Sequence, residues 1–155
     1  MLLKIILSLI ILSNINLFAL PKTRTFANIG IKIGYAFGEK SGIIYGMEGS
    51  YSSMKMDNDI TTTAYGFVAS VDYGRNQIQY HIGAEYYYGW VGFEWGPTMI
   101  VAQEKSDITH RATIYSWLGV IPYFSYTFQN KLDAYKEVGG YLKYSQQLTG
   151  STQWK

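Results

Sequence analysis

The chain has no cysteine among its 155 residues. That excludes a disulfide framework and a lipid-anchoring cysteine, so the fold must close by backbone pairing and packing alone. Charged residues are only 15%, against roughly 25% in ordinary soluble domains. No run of Lys or Arg occurs and the formal net charge is +2, which argues against nucleic-acid binding. Only two histidines are present, so a multi-histidine metal site is out. Proline is scarce, with 3 residues. After Leu20 no apolar stretch approaches the about 20 residues that a membrane-crossing helix needs.

What the chain does have is tyrosine, 15 of them, and glycine, 16. That balance favours strands over helices. The first residues read as an export signal. Lys4 supplies a positive start, and Ile5 to Leu12 form an apolar core interrupted only by Ser8. Leu17-Phe18-Ala19 resembles a cleavage site. The expectation is a signal peptide over 1–19 and a single domain over 20–155.

Beyond it the dominant signal is alternation, the mark of a strand with two unlike faces. Ile29, Ile31, Ile33, Tyr35 and Phe37 alternate with Gly30, Lys32, Gly34 and Ala36. Ile43, Tyr45, Met47 and Tyr51 alternate with Gly46, Glu48, Ser50 and Ser52. The pattern recurs over 65–74 and 77–90. Val91, Phe93 and Trp95 continue it until Pro97 interrupts, and 98–103 resume as an apolar strand. Residues 111–129 are too long for one strand of about 10 residues, so a turn is expected near Leu118-Gly119. Residues 135–148 form the last strand. Turns are expected at 38–41, 56–59, 74–76, 104–107 and 129–131. The count is seven or eight strands, and eight requires a further turn near Gly89–Gly92. The fold expected is all-β, an antiparallel up-and-down transmembrane β-barrel.

The chemistry of the two faces leads to the expectation of a barrel in a membrane. A soluble barrel turns its large apolar residues inward and a charged surface outward, whereas a membrane barrel does the reverse. Here the minor face is small and polar, with Lys32, Glu48, Asp72, His81, Glu85 and Glu94. Such a set suits the narrow interior of a small barrel. The tyrosines fall on the apolar face near segment ends, where interfacial girdles sit.

In this pattern the chain resembles small bacterial outer-membrane barrels of the outer membrane protein A/X/W type. A sharper local match is Glu137-Val138-Gly139-Gly140-Tyr141-Leu142-Lys143-Tyr144. It has the spacing of the assembly signal that usually ends such barrels, with Glu137, Gly139, Leu142 and Tyr144 at its defining positions. The resemblance implies residence in the outer membrane and reading of this strand by the assembly machinery. Such barrels usually have long external loops, yet the connection at Glu39–Ser41 is short and the one over 54–61 is longer.

The candidate chemistry is thin. His81 and Glu85 share a face but lie about 13 Å apart along one strand. A Ser–His–acid site would need Ser50 or Ser70 beside His81. Lipid A deacylases are small barrels with such a site, but their His-x-Ser motif is missing at His81 and at His110. Glu85 and Glu94 as paired carboxylates and the glycines around Ile31 as a phosphate loop are each better read as ordinary strand residues. The preferred reading places Lys32, Glu48, Asp72, His81 and Glu85 in an interior polar network. The segment Gln103 to His110 reads as the most polar connection. The expected role is a structural, surface-contact or adhesion barrel with a plugged interior. A narrow pore for small solutes, a lipid A-modifying enzyme and a soluble periplasmic lipocalin-like barrel are the alternatives. No cofactor is expected, and the partners are the outer-membrane bilayer, its assembly machinery and a ligand of unknown kind.

Overall fold

A computed structural model of the chain describes residues 23–38, 41–57, 60–102, 105–116, 121–128 and 135–149. The expected signal peptide, the turns near Leu118-Gly119 and at 129–131, and residues 150–155 lie outside them. The alternating segments become β1 (Thr23–Phe37), β2 (Gly42–Asp57), β3 (Ile60–Gly74), β4 (Gln77–Tyr88), β5 (Val91–Ala102), β6 (Lys105–Ser116), β7 (Ile121–Thr127) and β8 (Tyr135–Thr149). Each strand pairs antiparallel with its sequence neighbours, and β8 returns to β1, closing an eight-stranded barrel. Closure leaves no sheet edge along the paired stretches. The strand count therefore resolves to eight.

One end of the barrel carries the start of β1, the end of β8, and the connections at 58–59, 89–90 and 117–120. We call it the near end. The far end carries 38–41, 75–76, 103–104 and 128–134. Arg75 and Asn76 both have positive φ, 57° and 59°, the signature of a tight two-residue hairpin turn. Gly89, with φ 57°, serves the β4–β5 turn in the same way.

Three expectations need correction. The segment Gln103 to His110 is not a connection, because β6 begins at Lys105. Asp107 and Thr109 turn inward while Ile108 and His110 face outward. Polar residues on both faces hid the alternation there. Pro97 does not end a strand either, since β5 runs through it. Proline has no N–H to give, and the β4–β5 register lapses locally, between the pairs His81↔Thr98 and Ala84↔Trp95. The connection over 54–61 shrinks to 58–59, and the strand bounds leave two to seven residues for each connection between successive strands.

The two faces of the wall are sharply different. Outward side chains include Ile31 at 56% exposure, Ile82 at 63% and Leu142 at 57%. Inward ones include Lys32, Glu48, Asp72, His81, Glu85, Glu94 and Arg111, all buried. Following the register from strand to strand, the outward tyrosines fall at two levels. Tyr35, Tyr45, Tyr73, Tyr80 and Tyr126 ring the far side, where Tyr45 pairs with Tyr73. Tyr51, Tyr65, Tyr86, Tyr88 and Tyr144 ring the near side, where Tyr65 pairs with Tyr86. Among the described residues, no outward side chain between the rings is Asp, Glu, Lys or Arg.

Candidate functional site: the filled lumen

The period-2 geometry that exposes the apolar residues drives every alternate side chain into the lumen. Small inward residues make room for the large ones. A Cβ on Gly139 would lie 2.6 Å from the Cα of Gly34 and 2.8 Å from the ring of Tyr123. Tyr123 thus lies over a gap that glycine alone provides.

The centre of the lumen is an ionic cluster built around Arg111, which is wholly buried. Its Nη1 donates to Asp72 Oδ2 at 2.6 Å. Its Nη2 donates to Glu94 Oε1 at 3.0 Å and to Ser70 Oγ at 3.1 Å. Lys32 Nζ shares the same Asp72 oxygen at 2.6 Å and lies 3.6 Å from Glu137 Oε1. The Tyr123 hydroxyl donates to Glu137. His81 Nε2 meets Glu94 Oε1 at 2.7 Å, and Nδ1 meets Thr98 Oγ1 at 2.8 Å. Strands β1, β3, β4, β5, β6, β7 and β8 each contribute at least one residue, so the cluster ties walls on opposite sides of the barrel.

A second cluster lies nearer the near end. Lys143 pairs with Glu48, and its ammonium stands 4.9 Å from the Tyr141 ring centroid and 5.4 Å from that of Tyr115. The Tyr115 hydroxyl donates to Glu85 Oε2 at 3.3 Å. The rings of Tyr115, Tyr123 and Tyr141 also pack with Met54, Ala64, Tyr87 and Ile121 in one buried cluster that reaches toward the near side, and Ala36, Ile44 and Ile100 pack together at the far side. The ion pairs thus lie at mid-height, and the small apolar group at the far side sits beside buried Gln79 and Asp107, the register partners of Ile100.

The structure thus divides the five residues of the sequence-based network between the two clusters. Lys32, Asp72 and His81 join the first; Glu48 and Glu85 join the second. Glu137, singled out as part of an assembly signal, is buried and belongs to the first. In that same segment Gly139 is tightly packed, while Leu142 and Tyr144 face outward. Sequence reasoning missed Arg111, Lys143 and the tyrosine stack. Arg111 was legible in principle, because the inward polar phase Asp107, Thr109, Arg111, Thr113 runs through it.

The run Thr98–His81–Glu94 has the connectivity of a hydroxyl, base and acid. Its ring nitrogens are used in the opposite sense from the usual triad, with Nε2 on the acid and Nδ1 on the hydroxyl. Thr98 is fully buried, and Glu94 is also held by Arg111. Neither Ser50 nor Ser70 hydrogen-bonds His81: Ser50 bonds Asn28 and Ser70 bonds Arg111. Glu85 and Glu94 are register partners on neighbouring strands. Among the described residues no group of three or more His, Asp or Glu side chains could hold a metal ion.

No protein-family model matches the chain, and no curated protein matches it. Among solved structures it is similar to Ail, the attachment invasion locus protein of Yersinia pestis, at 11% identity over 80% of this chain and 97% of that one, with a TM-score of 0.20. At that score the likeness carries no weight, and the barrel stands on its own strand registers.

Proposed function

We propose that the chain is an outer-membrane barrel with an occluded interior, acting as a structural or surface-contact element of the envelope. The observation that carries this is the inversion of the wall: isoleucines outside and an arginine–carboxylate cluster inside. In water such an exterior would be a contiguous apolar patch far larger than soluble monomers expose. In a bilayer it is the required surface, and the closed ladder satisfies the backbone groups that lipid cannot. The two tyrosine levels fit the two headgroup regions, where amphipathic rings are favoured.

Occlusion follows from the lumen's contents. Arg111, His81, Glu94, Glu137 and Tyr141 are all buried inside it; Glu94 pairs with Arg111 and His81, Glu137 with Lys32 and Tyr123, and the Tyr141 ring packs on Tyr123. A solute would have to break several of these at once. Reconstitution into planar bilayers should therefore give no steady conductance. Reproducible open channels from the wild-type protein would overturn the occluded reading and favour the narrow pore.

The short connections bear on the role itself. A loop-borne adhesin needs reach beyond the bilayer, and connections of two to seven residues supply little. Any contact surface is therefore the rims and the lateral wall.

A further inference from the structure

The lateral wall is not uniformly ridged. On the outer face of β1–β4 a groove of about 390 Å³ is lined by Ile29, Met47, Gly49, Ala69, Val71 and Ile82, with Tyr80 at its far-side lip. Its floor is Gly49 and Ala69, which are direct register partners on β2 and β3.

Gly49 has no internal reason to be glycine. Gly34, Gly46, Gly66, Gly83, Gly92, Gly96 and Gly139 are all packed so that a Cβ would collide with a neighbour, closer than 3.0 Å. A Cβ on Gly49 would meet nothing nearer than the Asn28 carbonyl oxygen at 3.9 Å. Its φ is ordinary, since Gly38 and Gly89 are the positive-φ glycines. Glycine in mid-strand weakens the strand, so the hollow is a cost that the barrel's own packing does not explain.

The level of the groove indicates its occupant. It lies between the two tyrosine rings, where no outward residue is charged. Directly beyond it, toward the far end, Tyr45, Tyr73 and Tyr80 stand on adjacent strands β2, β3 and β4, with Tyr45 and Tyr73 in ring contact at 5.3 Å. A slot with an apolar floor, crowned by three phenol hydroxyls, matches a lipid: hydrocarbon below, ester and headgroup oxygens above. We infer that this groove holds one acyl chain of a membrane lipid, with the lipid's polar part at the Tyr45–Tyr73–Tyr80 crown. The inference rests on the membrane reading above, and it makes the barrel a binder of a particular lipid molecule rather than a passive guest of the bilayer.

The test uses the folded barrel in detergent micelles doped with dimyristoyl-phosphatidylglycerol, followed by native mass spectrometry. Wild-type protein should leave the micelle with one lipid bound. Gly49→Leu combined with Ala69→Leu fills the groove from a position with free space, and should cut the lipid-bound fraction about tenfold, as the loss of about two methylenes of contact would. Ala112→Leu, outward on the opposite wall in β6, should leave it unchanged. Wild-type protein with no retained lipid, or a double variant that retains it fully, would overturn the inference. So would a wild-type dimer that the double variant splits, because the occupant would then be a second copy. Carbonate extraction of membranes separates the two readings. Protein that stays with the membrane but holds no lipid sinks only the groove, whereas protein released into the supernatant sinks the membrane barrel.

Discussion

At the scale of single residues, the most exacting position is Arg111. It satisfies two carboxylates and a hydroxyl at once, in a site with no solvent exposure. Removing one member of a buried ion pair leaves its partner charged and unpaired, which costs about 3–5 kcal/mol. Arg111→Met should therefore lower the unfolding free energy of the barrel in lipid vesicles by that amount, read from a reduced urea midpoint, because Asp72 and Glu94 would both lose a partner. The paired variant Arg111→Met with Glu94→Gln should recover part of the loss. A single Arg111→Met variant as stable as wild type would show that the cluster does not hold the barrel together. Individual residues also mark the limit of sequence reasoning. The inward phase identified Lys32, Asp72 and His81 as interior, but alternation along one strand says nothing about which side chains meet across the lumen. Asp72 and Arg111 are 39 positions apart and become neighbours only when β3 and β6 curve toward each other.

At the scale of elements, β7 is the weak member. It has 7 residues, against 15 or 16 for β1, β2 and β3. Among the described residues its ladder to β6 runs only from Arg111↔Thr127 to Tyr115↔Tyr123, and its ladder to β8 from Ile121↔Tyr141 to Thr127↔Tyr135. Pro122 withholds one donor within it. By contrast, β1 and β2 are matched from Thr23↔Lys55 to Ala36↔Gly42. Local opening follows the least-supported ladder. Backbone amides of β7 should therefore exchange with deuterium before those of β1, β2 and β3, as read by mass spectrometry of peptic fragments. Uniform exchange around the barrel would contradict this. The strands before Gly92 were the legible ones, because large apolar and small polar residues alternate there without interruption. Further along, the pattern blurred for identifiable reasons. Pro97 reads as a breaker unless the strand can let its pairing lapse, and β6 opens with Lys105, Ser106 and Asp107, which have the composition of a loop.

At the scale of the whole molecule, the barrel is a cylinder inverted relative to soluble proteins, with its ion-pair clusters inside and its large apolar side chains outside. That inversion was readable from the chain because the narrow interior of a small barrel is filled by side chains, and here small and polar residues hold one phase of each strand. The shape of the rims was not readable, since it depends on where strands end rather than on what they contain. The short connections have a consequence for direction. Inserting a barrel requires dragging one set of connections across the hydrocarbon, and long polar loops normally make one side far harder to drag than the other. Here the strand bounds leave two to seven residues for each of the four connections at the far end and the three at the near end, so, for a barrel inserted as proposed, the connections themselves supply little polarity of insertion. Spontaneous folding into preformed vesicles should leave a mixture of both orientations, seen as partial removal by external protease of a tag placed after Lys155. Complete removal or complete protection would show that some other feature sets the direction. If the mixture is found, then for a barrel that resides in a membrane as proposed a single orientation would have to be imposed from outside, by whatever delivers the chain and the side from which it arrives.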